Sequence, residues 1–125
     1  MAINNYISAD TGIRLGETAS GTVNGTFNEN HITGFTTYAI NSTVSNTVDA
    51  TCNWYGTTSS NAIAAAITGT VNYILWLTSG TDDQPSTSGF QPLPTACSGT
   101  PVEITSTTPS PETCTHDNGS ITIVY

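Results

Sequence analysis

With 125 residues, the chain is long enough for one domain, in which folding would bury about two-thirds of the surface that the unfolded chain exposes. Nine Asp and Glu residues oppose a single cation, Arg14, so the formal net charge is -8. Nucleic acids and anionic membrane surfaces attract proteins through Lys and Arg, and the composition therefore excludes both as partners. No stretch is long and apolar enough to cross a bilayer, so membrane insertion is not expected.

Hydroxyl groups take the place of charges on this chain. Charged residues make up 8% of it, against about a quarter in an average soluble domain, whereas it contains 13 Ser and 25 Thr. This composition is typical of secreted, repetitive β-proteins, because Thr favours strands while Ser, Asn and Gly favour turns. We therefore expect an extracellular or cell-surface protein. The opening residues, MAINNYISAD, lack the basic and apolar regions of a secretion signal, which would have to lie upstream of this sequence.

A short motif that begins with Asn occurs three times in the first half of the chain. It reads NYIS at 5–8, NHIT at 30–33 and NWYG at 53–56, with separations of 25 and 23 residues. A second pattern falls in phase with it, since GIRL at 12–15 precedes TYAI at 37–40 by 25 residues. A period in the low twenties, with short strands divided by small polar residues, predicts a parallel β-solenoid of about three coils.

Stacking of these coils would bring equivalent side chains together. Asn5, Asn30 and Asn53 would then form a ladder of side-chain amides at a bend that Asn tolerates, although Asn is also simply abundant here. His31 takes the position of Tyr6 and Trp54 and is expected to stack with them rather than to bind a metal. The residues predicted to form the core are Ile7, Phe27, Ile32, Ala50, Trp54, Tyr55 and Trp76.

The segment 61–77 has a different character. NAIAAAI favours a short helix, with TSSN in front of it as a candidate N-cap, and TVNYILWL reads as one strongly apolar strand. A solenoid exposes strand edges and core at its end, and proteins cover such edges with atypical elements. We therefore predict that residues 57–77 cover one end of the stack, as a short helical turn or loop followed by a last strand.

The amino-acid sequence of this region resembles the closing coil of secreted right-handed parallel β-helix proteins. In that family a V-D-A-T-x-N-W-W-G motif precedes a G-x-V-x-Y-x-P-W-L strand and a GFQP-like exit, and this chain has VDATCNWYG, GTVNYILWL and GFQP. The resemblance covers about residues 1–94. Two departures are Tyr55, where Trp is usual, and the pair Ile74-Leu75, where the family has a residue followed by Pro.

The C-terminal sequence resembles a different family, the SprB-type repeats of large adhesins on gliding bacteria. Thr108 to Cys114 and Asn118 to Val124 match its T-x-P-x-C segment and its N-G-S-I-T-V strand in order, which implies the first strands of an Ig-like sandwich. VEIT and SITIVY are expected to be strands, with DNG at 117–119 as a type I′ turn. The predicted organisation is therefore a β-helix with its cap at 1–77, an exit segment and linker at 78–100, and a partial repeat at 101–125.

Three cysteines occur without the spacing of a zinc or redox site. We expect Cys97 to pair with Cys114, with free thiols as the alternative. Asp82-Asp83 and Asp117-Asn118-Gly119 place carboxylates in turns, which offers weak surface calcium binding as an alternative to a solubilising loop. Neither has the repeated spacing of a calcium motif, so we predict no cofactor and no metal ligands.

Catalytic residues are not expected either. Enzymes on β-helices, such as polysaccharide lyases, hydrolases and epimerases, need clustered carboxylates and often a Lys or Arg. Glu29 and His31, on either side of Asn30, are the nearest approach to an acid and base pair in this sequence. We therefore predict a non-catalytic, structural and adhesive module of a bacterial surface protein, which faces glycans or other cell-surface components.

Two alternatives remain open at this stage. One is the terminal fragment of a polysaccharide-active β-helix enzyme whose active coils lie upstream. The other is a self-assembling β-solenoid subunit, which would pair with further copies through its open end or through the tail strands.

Overall fold

The computed structural model describes residues 1–16, 21–102, 114–116 and 119–121. In these ranges the fold is all-β, with short strands, one α-helix of six residues and one 3-10 turn. The strands are β1 (Ala2–Ile3), β2 (Tyr6–Ser8), β3 (Thr11–Leu15), β4 (Phe27–Asn28), β5 (His31–Thr33), β6 (Tyr38–Ser42), β7 (Val48–Asp49), β8 (Ile67–Thr68), β9 (Val71–Asn72), β10 (Trp76–Leu77), β11 (Cys97–Gly99), β12 (Cys114–His116) and β13 (Gly119–Ile121).

The first nine strands pair in parallel with strands from the next stretch of the chain. β1 pairs with β4, β2 with β5 and β7 with β9, while β3, β6 and β8 form one three-stranded sheet. These pairs line up as three rows: β1, β4, β7 and β9 form the first, β2 and β5 the second, and β3, β6 and β8 the third. Single bridges join Thr26 to Asp49 in the first row and His31 to Trp54 in the second. The neighbours across these rows include Ala2 and Phe27, Ile7 and Ile32, Ile13 and Ile40, Ile40 and Ile67, and Val48 and Val71.

One part of the predicted register is wrong. The second sequence pattern aligned Ile13 with Tyr38, but the structure places Ile13 beside Ile40, two residues further on. The chain uses 34–37 to pass from β5 to β6, whereas 9–10 suffice between β2 and β3. Two extra residues in this turn shift the register without reversing which side chains face inward, because side chains alternate with a period of two.

Apolar side chains from all three rows meet in one core. Ile32, Ala50 and Tyr55 are buried there, as the sequence predicts, and Ile7 and Phe27 are partly buried against them. The phenol of Tyr55 donates to the carbonyl of Ala50 at 3.0 Å, and burial raises the pKa of this tyrosine. The further core members are Ile13, Ala39, Ile40, Ile63, Ala66 and Trp76.

Trp54 corrects the predicted core. It is only half-buried and lies outside the buried cluster, because its bridge to His31 places it in the same row as the exposed Tyr6. Alternation along the strand then puts its neighbour Tyr55 inside. The indole is covered from outside by the backbone at Gly80, where a side chain would collide with it.

One end of the stack is covered by the segment that the sequence singled out. Helix α1 (Ser60–Ala65) begins at Ser59, whose hydroxyl accepts from the N–H of Ala62, and it buries Ile63. The apolar stretch after it forms two short strands, β9 and β10, and not the single strand expected. β10 pairs antiparallel with β11, which ends the parallel arrangement. No helix in the described ranges has the length and apolar character needed to cross a membrane.

The C-terminal residues that the structure describes form a hairpin. β12 and β13 pair antiparallel, with Cys114 opposite Ile121 and His116 opposite Gly119. The first part of SITIVY is therefore a strand, as expected. VEIT from residue 103 onward, and the first two residues of the predicted DNG turn, lie outside the described residues.

Candidate functional site

Three asparagine side chains form a hydrogen-bonded ladder through the stack. The Nδ2 of Asn5 donates to the Oδ1 of Asn30 at 2.9 Å, and the Nδ2 of Asn30 donates to the Oδ1 of Asn53 at 3.0 Å. The backbone N–H groups of Asn5 and Asn30 donate to the same two oxygens. The ladder predicted from the sequence repeat is therefore present in the structure.

The two ends of the ladder differ in burial. Asn30 and Asn53 are fully buried, whereas Asn5 is exposed and its Oδ1 accepts no hydrogen bond from the described residues. In the same part of the molecule, β1, β2 and β3 each have a partner on one side only among the strands that the structure describes. We call this the open end, and we call the end formed by α1, β10 and β11 the closed end.

A disulfide fastens the closed end, and it is not the predicted one. Cys97 pairs with Cys52, with a distance of 5.1 Å between their α-carbons, so it cannot pair with Cys114. Proximity in sequence favoured residues 97 and 114, but two contacts bring the more distant pair together. Leu77 lies opposite Cys97 in the β10–β11 pair, and the N–H of Cys52 donates to the carbonyl of Leu75 at 2.6 Å.

Segment 78–96, which we call the clasp, lies across the outside of the strands. Composition alone predicts a linker here, but Phe90 is fully buried. The N–H of Phe90 donates to the carbonyl of Asn4 at 2.9 Å, and the Nδ2 of Asn4 returns a bond to the carbonyl of Phe90 at 2.8 Å. The clasp thus runs from the closed end to the first strands of the chain.

Phe90 packs into a small aromatic cluster with Tyr6 and His31, which lie on β2 and β5. Its ring centroid lies 5.5 Å from that of Tyr6 and 5.2 Å from that of His31, in edge-on geometry in both cases. Tyr6 and His31 are 5.2 Å apart, so His31 packs with Tyr6 as the sequence predicts. Burial lowers the pKa of His31, which favours the neutral ring.

The clasp fixes the phenol of Tyr6 as well. Its hydroxyl donates to Oδ2 of Asp82 at 2.9 Å, and this hydrogen bond raises the pKa of the tyrosine. The other oxygen of Asp82 accepts from the backbone N–H groups of Gln84 and Gln91. Tyr6 as a whole nevertheless remains 57% exposed.

Three of the five carboxylates among the described residues accept hydrogen bonds at turns and corners. Asp10 accepts from the hydroxyl of Thr36, Asp49 accepts from the hydroxyl and the N–H of Thr51, and Asp82 is engaged as above. No three His, Cys, Asp or Glu side chains come together as metal ligands within these ranges. Asp117, part of the alternative calcium loop, lies outside the described residues.

An open cleft lies beside the first row. It has a volume of about 480 Å³ and is bordered by Met1, 23–26, 46–47 and Asp49. Asn46 closes part of its wall by bonding to both backbone groups of Val23, at 2.9 Å and 2.8 Å. The aromatic cluster and this cleft are the two surface features from which a binding site can be built.

No protein-family model, curated protein or solved structure gives a significant match to this chain.

The sequence did not indicate the contacts of Phe90 and Gln91 with Asn4, and it suggested only a surface loop for Asp82. The only signal for them was the GF pair at 89–90 within a polar segment. Gly89 has a positive φ of 89° and lies against the carbonyl of Asn4, where a side chain would not fit. A lone buried aromatic after such a glycine indicates a docked segment.

Proposed function

We propose that the chain is a non-catalytic structural and adhesive module of an extracellular bacterial surface protein. It would consist of the C-terminal coils of a right-handed parallel β-helix, followed by the beginning of a SprB-type repeat. The observation that carries this proposal is the row of parallel pairings at separations of 23 to 27 residues, with the asparagine ladder through its centre. Regular stacking of this kind gives a stiff rod, which suits a surface module.

The disulfide supports an extracellular location. Structural disulfides persist in oxidising compartments and are rare in the reducing cytosol. The Cys52–Cys97 bridge closes 45 residues of sequence at the closed end, where it ties β11 to the turn before Trp54. We therefore place the protein outside the cell or at its surface.

The outer surface supports contact with glycans. Hydroxyl and amide side chains, which can both donate and accept hydrogen bonds, replace the usual charges. Adhesion rather than turnover is favoured because three of the five described carboxylates, those of Asp10, Asp49 and Asp82, already accept hydrogen bonds at turns. Glu29 and His31 lie one on each side of the buried Asn30, and the packing of His31 with two aromatic rings accounts for its position.

A glycan array followed by product analysis tests this function. We expect the purified protein to be retained on a subset of neutral glycans, with no soluble fragments released from them over prolonged incubation. Release of shortened or unsaturated sugars would establish the polysaccharide-active alternative instead. Absence of retention on every glycan would refute the adhesive role and leave a purely structural one.

Self-assembly is a second candidate, favoured by the one-sided strands of the open end. Within the described ranges β1, β2 and β3 pair with another strand on one side only, and Ile3 is 40% exposed beside them. A second copy would extend the rows, so the mass measured by light scattering would rise with concentration. A mass equal to the monomer at every concentration would rule this candidate out.

A further inference from the structure

We propose that the exposed face of Tyr6 is a stacking site for a pyranose ring of a neutral polysaccharide, with Asp82 and Gln91 of the clasp at its border. This inference rests on the glycan-facing role proposed above and names the site at which it would occur. Three features of the described residues carry it.

The first feature is that the ring is exposed and yet held in place. Exposed aromatic side chains usually move among rotamers, and binding then has to restrict them at an entropic cost. Here the ring packs against His31 and Phe90, and its hydroxyl is bound to Asp82 at 2.9 Å, while the residue as a whole is 57% exposed. A flat apolar face is therefore already in position before any ligand arrives.

The second feature is the polar border. Asp82 accepts one hydrogen bond on Oδ2 and two on Oδ1, which leaves it able to accept another, since a carboxylate has about four lone-pair sites. Gln91 adjoins it, and its side chain lies 3.4 Å from the Nδ2 of Asn4. A pyranose has the matching shape, because its C–H groups form an apolar face and its hydroxyls project from the rim.

The third feature is charge. The chain carries a net charge of -8, and Asp83 follows Asp82 in the clasp. The chain has no Lys, its single Arg14 lies in β3, and burial lowers the pKa of His31 and so favours the neutral ring. Uronates and sulfated or phosphorylated sugars would be repelled, which points to a neutral glycan.

Titration with cellohexaose and with hexagalacturonate, followed by NMR, tests the proposal. We expect cellohexaose to bind and hexagalacturonate not to bind. Tyr6→Ala should weaken cellohexaose binding by about tenfold or more, whereas Tyr6→Phe, which keeps the ring and loses the bond to Asp82, should weaken it only a few-fold. Tyr38→Ala removes a half-buried tyrosine from another row and should leave binding unchanged.

The outcomes separate this site from the wider function. Equal binding by wild type and Tyr6→Ala, with both proteins folded by circular dichroism, would overturn the Tyr6 site while leaving glycan adhesion intact. Failure of the wild type to bind cellohexaose, or a preference for hexagalacturonate, would also overturn it, and retention on other glycans of the array would still support the proposed function. Loss of binding in Tyr38→Ala equal to that in Tyr6→Ala would show a general loss of structure instead of a local site, and would likewise overturn the proposal.

Discussion

The two ends of the stacked strands differ in how their strand edges are covered. At the closed end, the strands meet α1, the antiparallel pair β10–β11 and the disulfide, and Trp76 is buried there. At the open end, β1 to β3 have partners on one side only, and Asn5 and Tyr6 are exposed. The clasp joins the two, because it starts next to β10 and docks Phe90 against Tyr6 and Asn4. Stability at the open end therefore depends on residues about 85 positions away in the sequence.

The largest expected loss of stability comes from removing the disulfide at the closed end. Cys97→Ser removes a bridge between residues separated by 45 positions, and the loop-entropy relation gives a loss of about 4 kcal/mol in the free energy of unfolding. Thermal or urea unfolding of the oxidised proteins measures it.

Two further variants sharpen this test. Cys52→Ser should cost the same as Cys97→Ser, and Cys114→Ser should leave stability unchanged. If Cys114→Ser instead matched Cys97→Ser and Cys52→Ser had no effect, the pairing described above would be wrong.

The next largest loss of stability is expected from a substitution in the clasp. Phe90→Ala removes a fully buried ring from the aromatic cluster and should cost about 3 kcal/mol, with the loss felt at the open end. Leu93→Ala changes an exposed residue of the same segment and should stay within about 0.5 kcal/mol of wild type. Amide hydrogen exchange should show faster exchange in β1 and β2 for the first variant alone. Unchanged protection of these strands would mean that the clasp does not hold the open end.

The ladder gives a direct comparison between buried and exposed ends. Asn53→Ala leaves the backbone N–H of the buried Asn30 without its acceptor and takes the side-chain bonds of Asn53 from the Nδ2 of Asn30 and the carbonyl of Ala50, which should cost about 3 kcal/mol. Asn5→Ala should cost about 1 kcal/mol, because water can replace its bonds at the open end. Urea unfolding measures both, and equal costs would contradict the difference between the two ends of the ladder.

The smallest effect is the pH dependence of the aromatic cluster. Burial lowers the pKa of His31, so the folded protein binds this proton less readily than the unfolded chain does. The stability that this provides is complete above the unfolded value of about 6.5 and falls as the pH drops through the lower folded value. His31→Phe keeps a ring and cannot titrate, so its stability should fall less than that of wild type between pH 7 and 5. Parallel curves for the two proteins would show that His31 contributes nothing here.

The sequence alone determined the features that repeat along the chain. The Asn motif at 25 and 23 residues gave the ladder and the rows through Ile32 and Tyr55, because parallel stacking places like residues beside like. It also indicated a short helix after TSSN, the segment that contains the observed cap Ser59, since a helix of this kind is a local pattern.

Only the tertiary structure decided the features that occur once. The pairing of Cys52 with Cys97, the burial of Phe90 against Asn4 and Tyr6, and the half-exposed position of Trp54 all depend on where the chain turns after residue 56. The two-residue shift between β3 and β6 likewise follows from the length of one turn. Contacts between distant residues leave no periodic trace in a sequence, and their geometry is set by the packing of the whole chain.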